Sequence, residues 1–201
     1  GSTDETLTNL KNSFNLYPCH ESFSHTLKTK PVSCVYRSQR HHNLLVIDKV
    51  NGGKSDSLNA GLNHACYSYF CSIDADVIME SDALQHVVLP IMESEKRVIA
   101  VGGIVRVANG CRIEKGRIVE VSLSSNPLAI FQVIEYFRAF LCGRTGYSHL
   151  NALMIISGAF GLFERDLVMA IGGYRQNTVG EDMDLVTRLH VHMHESGQKD
   201  Y

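Results

Sequence analysis

Apolar and polar positions alternate along this chain between segments with helical spacing and short strand-like runs. The capping-box sequence Ser2-Thr3-Asp4-Glu5 is followed by apolar residues at helical spacing, which predicts a short helix through Leu7, Leu10 and Phe14. Runs rich in β-branched and aromatic residues predict strands at Val32–Tyr36, Leu44–Ile47 and Tyr69–Ile73. Such alternation indicates an α/β fold with a mostly parallel sheet.

The same pattern continues through the rest of the chain. It predicts a helix with Leu58, Leu62 and Ala65 on one face, another over roughly Ser81 to Met92, and a long β-rich run at Val98–Val107. A helix that opens at Asn126-Pro127 and extends to about Leu141 is apolar around most of its circumference. We expect this helix to be buried, and contact with a bilayer surface is the alternative.

Composition places the chain among globular proteins of one domain. It has 201 residues, of which 44% are hydrophobic and 20% charged, and its net charge of −2 gives no electrostatic reason to expect a nucleic-acid partner. The six cysteines are scattered without a Cys-x-x-Cys pair, which argues against zinc or redox chemistry and favours a reducing compartment. No apolar stretch approaches the ~18 residues that a membrane span needs.

The strand at Tyr69–Ile73 ends in Asp74-Ala75-Asp76. The carboxyl ends of strands are where open α/β sheets bind ligands, and alternating residues turn both carboxylates toward roughly the same space. Such a pair can hold a hard divalent cation. Solvated acids are also common at strand ends, so the tripeptide by itself leaves both interpretations open.

A second segment of interest leads from a strand through Gly52-Gly53-Lys54 into a helix. Glycines allow close approach to the backbone, helix N-terminal amides attract anions, and a lysine adds a positive charge, so phosphate binding is a reasonable function. A P-loop would need glycine five positions before Gly53, where Asp48 stands. The alternative is that the glycines only end the strand and Lys54 is solvated.

The third segment is Thr178-Val179-Gly180-Glu181-Asp182, just before a predicted helix. Thr178 and Glu181 have the spacing of a capping box, and acids in a first helical turn are favoured by the helix dipole. A carboxylate near an anion and a metal is also what a general base for a hydroxyl nucleophile requires. The spacing does not choose between these roles.

Together, these segments closely resemble family 2 glycosyltransferases of the GT-A fold. The resemblance rests on three ordered motifs and is strongest to the membrane-bound, inverting, often processive branch that makes poly-N-acetylglucosamine, hyaluronan and cellulose. It extends from Thr3 to about His194. The motifs are Gly52 to Gly61, Ser72 to Asp76, and Val179 to Asp182, and the stretch Ser157–Gly161 resembles the family's acceptor side.

The resemblance implies a role for each matching residue. Asp74 would contact the nucleotide-sugar and help to bind the metal, and Asp76 would ligate Mg²⁺ or Mn²⁺ at the diphosphate. Asp182 would deprotonate the acceptor hydroxyl, with Glu181 beside it. The remaining roles are nucleotide-sugar binding at Gly53 and Lys54, and acceptor binding at Gly158, Ala159 and Phe160. The family's acidic motif usually begins with threonine, where this chain has Gly180.

The resemblance also implies a fold, partners and a location. It predicts that residues 1–201 form a single, partial catalytic domain, a Rossmann-like α/β/α sandwich that lacks the first strand or strands. Its substrates would be a UDP-sugar donor and a saccharide or lipid-linked acceptor. The parent would lie at the cytoplasmic face of the cell membrane, held there by segments outside this otherwise soluble chain. Since uracil-binding aspartates would lie upstream and a Gln-x-x-Arg-Trp motif downstream, we expect these 201 residues alone to be inactive.

Two other functions are compatible with the motifs. One is a catalytically dead GT-A-like module used for binding or as a scaffold. The other is a P-loop-like NTPase in which Asp76 holds the magnesium, although Asp48 argues against it. Metal-dependent binding of UDP would distinguish a transferase from both.

Overall fold

The computed structural model describes residues 1–20, 26–178, 180–198 and 201, and these residues divide into two compact units. The first unit comprises Gly1–Tyr67 and Gly172–Glu181, and the second comprises Ser68–Ile171 and Asp182–Tyr201. The division does not test the prediction of one catalytic domain over residues 1–201, which stays a prediction.

The first unit is built on a three-stranded antiparallel sheet. Its elements are α1 (Thr6–Phe14), β1 (Leu16–Cys19), β2 (Val32–Ser38), β3 (Leu45–Lys49) and α2 (Gly53–His64). The expected strands and helices are therefore present. The expected capping box is not, because Asp4 Oδ1 instead accepts the hydrogen bond from the Thr6 amide (3.1 Å) at the start of α1.

The second unit holds the larger share of the elements. They are β4 (Tyr69–Ile73), α3 (Ala83–Glu93), β5 (Ala100–Gly102), β6 (Arg112–Glu114), β7 (Arg117–Glu120), α4 (Pro127–Phe137), a π-helix (Arg138–Arg144), α5 (Thr145–His149), β8 (Phe160–Glu164), α6 (Arg165–Ala170) and α7 (Glu181–Glu195), whose first residue belongs to the first unit. The bounds of β4 match the predicted strand. The long run predicted at Val98–Val107 is wrong, because only Ala100–Gly102 is a strand.

The α/β class is confirmed, but the prediction of a mostly parallel sheet is wrong for the described residues. Every strand pair among them is antiparallel. β8 lies between β4 and β5 and is antiparallel to both, so β4 and β5 run in the same direction without pairing. The α3 crossover explains that shared direction, since parallel strands need such a connection. β8 begins 60 residues after β5 begins. A strand inserted from so far along the chain leaves no local sequence pattern that would predict its antiparallel pairing.

A core of apolar side chains supports the β4-β8-β5 sheet. Val87, Phe160 and Leu162 are buried together, and the partly buried Tyr69, Cys71 and Val101 pack against them. The ladder pairs Ile73 with Phe160, so the residues that follow β4 lie beside those that precede β8. The core thereby positions Asp74 next to the stretch that ends at Phe160.

The helix predicted over Asn126-Pro127 to Leu141 forms, but its predicted burial is wrong. The Asn126 side chain accepts a hydrogen bond from the Leu128 amide at the N-terminus of α4. Leu128 is 76% exposed and Phe131 68% exposed, and the exposed stripe continues through Ile134, Phe137 and Leu141. Pattern alone does not show which face of an apolar helix meets the core. Within the described part of the chain, no helix is long and apolar enough to cross a membrane.

Candidate active site

The Asp74-Ala75-Asp76 turn extends directly from the C-terminal end of β4. The Asp74 amide donates to the carbonyl of Ala159 (3.2 Å), and the Asp74 carbonyl accepts from the Val77 amide (3.2 Å). Asp74 is half-buried, whereas Asp76 is exposed. The turn therefore presents two carboxylates at the end of a strand, and that of Asp76 is exposed to solvent.

Asp182 lies in the first turn of α7 and contacts Gly158, the residue before Ala159. Its Oδ2 accepts a hydrogen bond from the Gly158 amide (3.1 Å), and its Oδ1 accepts one from the Met183 amide (3.0 Å). The N-terminus of a helix also favours a negative charge at this position. The carboxylate is therefore oriented through both of its oxygens.

The stretch 158–160 connects these two acidic groups within the second unit. The Gly158 amide donates to the Asp182 carboxylate and the Ala159 carbonyl accepts from the Asp74 amide, so two neighbouring residues hold the Asp182 side chain and the Asp74 main chain. The Phe160 side chain is buried in the core with Val87 and Leu162. The acceptor-binding roles of these three residues remain predictions.

Arg144 is a further charged residue near Asp182 that the sequence patterns did not indicate. It ends the π-helix, and its guanidinium lies 3.9 Å from the centre of the Phe140 ring. Burial lowers the pKa of Arg144 from its usual value, and the negative charge of Asp182 partly offsets that effect. Arg144 thus supplies positive charge on the Asp182 side of the unit. π-Helical turns are frequent at functional sites, but they have no clear sequence signature.

The first unit brings together the other predicted site residues, Gly53, Lys54 and Glu181. Gly53 has φ +84°, which favours glycine, and its amide donates to the Asn51 side chain (3.0 Å) at the start of α2. Lys54 Nζ lies 3.5 Å from Glu181 Oε1. Gly180 has φ +85°, so the glycine that replaces the family's threonine occupies a backbone conformation strained for threonine. Val179 of the same motif lies outside the described residues.

α2 carries a row of buried polar residues that the sequence analysis missed. Asp56, Asn59 and Asn63 are all nearly inaccessible to solvent. Asp56 accepts hydrogen bonds from Lys49 Nζ, the Lys30 amide (2.8 Å) and Gln176 Nε2 (2.9 Å). The spacing of three and then four residues could have revealed this row, because it is the spacing of one helical face.

The carboxylates of Asp74 and Asp76 fit a divalent cation by their chemistry. Oxygen ligands suit Mg²⁺ and Mn²⁺, and Mg²⁺ is typically held by one or two carboxylates plus substrate phosphates and water. Among the residues that the structure describes, no group of three or more His, Cys, Asp or Glu side chains forms a complete metal cage. The two aspartates therefore fit a metal that a diphosphate helps to coordinate.

Comparison with known proteins identifies relatives of this chain. Residues 26–171 match the model of the family described as glycosyl transferase family 2. Over 158 residues the chain is 28% identical to a poly-beta-1,6-N-acetyl-D-glucosamine synthase of Staphylococcus epidermidis and 27% identical to one of Staphylococcus aureus strain COL. Each alignment covers 78% of this chain and 35% of the relative, so the chain spans about a third of their length. The family match includes Lys54, Asp74, Asp76 and the 158–160 stretch but ends before Glu181 and Asp182.

Proposed function

The chain belongs to glycosyl transferase family 2, and on that premise we propose that it carries the catalytic groups for inverting transfer of a sugar from a UDP-sugar to a hydroxyl acceptor. A glycosyltransferase uses an activated sugar donor and an acceptor, and members of this family commonly use a divalent metal. The names of the relatives support polysaccharide synthesis as the process. Membership of this family does not favour the alternative function of a P-loop-like NTPase.

The observation that carries the proposal is the connection of two acids through one backbone stretch. The Asp74 amide donates to the Ala159 carbonyl and the Asp182 carboxylate accepts from the Gly158 amide, so the candidate metal site and the candidate base are bonded to two adjacent residues. Direct displacement at an anomeric carbon needs both groups, since the leaving diphosphate must be neutralised while the acceptor hydroxyl loses its proton. A scaffold protein needs neither arrangement.

In this mechanism each side chain has one task. Asp76, with Asp74, would hold Mg²⁺ or Mn²⁺, which neutralises charge on the departing UDP. Lys54 would bind the diphosphate as a point charge. Asp182 would take the proton from the acceptor hydroxyl, because the amides of Gly158 and Met183 hold its carboxylate in one orientation. Gly158 and Ala159 would line the acceptor site.

The test is calorimetric titration of UDP with and without Mn²⁺ on the chain with its native flanking residues. We expect Mn²⁺-dependent binding that Asp76→Ala abolishes. Asp82→Ala is the matched control, because Asp82 is a half-exposed acid eight residues from Asp74 and precedes α3. UDP binding of the same affinity with and without Mn²⁺, and in wild type and Asp76→Ala, would contradict the metal assignment.

A second measurement separates binding from chemistry. Asp182→Asn keeps the size of the side chain, so we expect UDP binding to persist while sugar transfer falls roughly 10²- to 10⁴-fold, as for loss of a general base. Transfer at the original rate would overturn the role of Asp182. A preference for ATP over UDP would favour the NTPase, and no nucleotide binding at all would favour the scaffold.

Contact with the cytoplasmic face of a membrane is a further part of the proposal. The exposed apolar residues of α4 and of the π-helix that continues it support this contact, since an apolar helix face in water is costly unless something covers it. They are Leu128, Phe131, Ile134 and Phe137 on α4 and Leu141 on the π-helix. We expect Leu128→Ser/Phe131→Ser to reduce co-sedimentation with anionic lipid vesicles without changing the unfolding midpoint. Equal co-sedimentation of the wild type and the double variant with the vesicles would contradict membrane contact through α4.

A further inference from the structure

α2 is connected to the segment that precedes Glu181 by a series of polar contacts inside the first unit. The side chain of Asn59 bonds to both main-chain groups of Tyr174, because Nδ2 donates to the carbonyl and Oδ1 accepts from the amide (2.8 Å each). Three residues earlier on the helix, Asp56 Oδ1 accepts from Gln176 Nε2 (2.9 Å). Two residues earlier again, Lys54 lies 3.5 Å from Glu181.

These contacts follow a consistent order. Positions 59, 56 and 54 on α2 contact positions 174, 176 and 181, so successively later residues of the chain contact successively earlier residues of the helix, and Glu181 contacts Lys54. Gly173 is required at the start of this path, since it has φ +70° and a Cβ there would lie 2.5 Å from Asn59 Oδ1. The fit of segment to helix is therefore specific.

Asp56 also supports the glycine turn itself. A Cβ at Gly52 would lie 2.5 Å from Asp56 Oδ2, so the carboxylate packs directly against Gly52. Lys49 Nζ donates to the same oxygen and provides the opposite charge that a buried carboxylate needs. One buried acid thus bonds to the Gln176 side chain and packs against the turn that leads to Lys54.

We propose that Asp56 and Asn59 are positioning residues that hold the 174–176 segment on α2 and thereby keep Glu181 as the counter-ion of Lys54, which a donor diphosphate has to displace. This inference rests on the proposed function, in which Lys54 binds that diphosphate. A carboxylate beside a lysine reduces the positive charge offered to an anion. The pair therefore sets the affinity of the Lys54 site for phosphate.

The consequence differs from that of a purely structural role. Neutralising Glu181 with Glu181→Gln removes a competing charge and should tighten UDP binding about two- to fivefold, the range of a partly exposed ion pair. Loosening the segment with Gln176→Ala should act in the same direction, because Glu181 is then less constrained. A change that merely damages the fold would weaken binding instead.

The experiment is titration of UDP in the presence of Mn²⁺ on four proteins with native flanking residues: wild type, Gln176→Ala, Glu181→Gln and the double variant. We expect each single change to tighten binding and the double change to add less than the product of the two. Gln132→Ala on α4 is the matched control, since Gln132 is exposed and lies in the second unit. Gln176→Ala leaves the Lys49–Asp56 pair intact, so it avoids the risk of unfolding. Weaker UDP binding in either single variant would overturn the proposal. So would a double variant whose gain in affinity equals the product of the two single gains.

Hydrogen exchange tests the positioning itself without any ligand. Asn59→Ala removes the acceptor of the Tyr174 amide, so exchange at that amide should accelerate about fivefold or more, in line with loss of one hydrogen bond, while amides of β4 keep their rates. Unchanged exchange at Tyr174 would overturn the role of Asn59. Absence of UDP binding in the wild type would instead refute the proposed function, and these two failures are distinguishable.

Discussion

The two units bury different kinds of side chains. Among the described residues, the buried polar side chains are Ser38, Lys49, Asp56, Asn59, Asn63 and Ser72, and all but Ser72 belong to the first unit. Most of the buried apolar side chains belong to the second unit, including Phe160, Leu162, Val168, Leu185 and Leu189. The first unit thus fixes its segments by directional hydrogen bonds, and the second unit fixes its strand ends by packing.

This difference teaches how each unit should respond to mutation. A buried hydrogen-bonded pair depends on both partners, because removal of one leaves the other unsatisfied. A packed apolar core depends mainly on volume and tolerates exchanges that preserve it. The predictions below test that contrast.

The largest effect is expected from Asp56→Ala in the first unit. The change leaves the Lys49 ammonium buried without its partner, and breaking such a pair typically costs about 3–5 kcal/mol of the free energy of unfolding. Urea denaturation measures it. Asp82→Ala in the second unit, where the acid is half-exposed, should change stability by less than about 0.5 kcal/mol. Similar losses in the two variants would show that burial of the pair is not what matters.

Core truncation in the second unit should cost somewhat less. Leu185 is fully buried, so Leu185→Ala should lower the free energy of unfolding by about 2–5 kcal/mol through lost burial and a cavity. Leu185→Met preserves volume and should cost less than about 1.5 kcal/mol. If methionine were as damaging as alanine, the second unit would depend on shape as strictly as the first depends on hydrogen bonds.

Acid should weaken the first unit through Asp56. Burial by itself would raise the pKa of Asp56, but the hydrogen bonds from Lys49 and from the Lys30 amide outweigh it and hold the pKa below its usual value. The stabilisation is therefore complete above the ordinary aspartate pKa of about 4 and is lost as pH falls through the lower pKa of the folded state. Unfolding free energies measured from pH 6 to pH 2 should fall more steeply for wild type than for Asp56→Asn. Parallel curves would exclude Asp56 as the titrating group.

The smallest effect concerns thiol reactivity and leaves the fold unchanged. Burial raises the pKa of Cys71 in the second unit to about 11, so at pH 8 only about one thiol in a thousand is ionised. Cys66 in the first unit is exposed. Alkylation with iodoacetamide, followed by mass spectrometry, should label Cys66 well before Cys71, and Cys66→Ser should remove that early label. Equal rates would mean that the β4 region opens readily.

Much of the local structure was predictable because it depends on nearby residues. The strand Tyr69–Ile73, the helix that follows Gly53, and the acids at the end of β4 all follow from short apolar runs and turn residues. Family membership confirmed the resemblance carried by the motifs. The exposure of α4 and the insertion of β8 between β4 and β5 were not predictable, because both depend on segments distant in the chain.

The sequence by itself determined which chemistry is present: paired carboxylates at a strand end, a lysine after two glycines, and acids at the start of a helix. Only the tertiary structure decided how those groups are held. It placed the Gly158 amide on Asp182, 24 residues away in the chain, and buried Asp56 between Lys49 and Gln176, 120 residues from the latter. The reason is physical, since residue type sets what a side chain can donate, accept or ionise, whereas its partner depends on which distant segments pack against it.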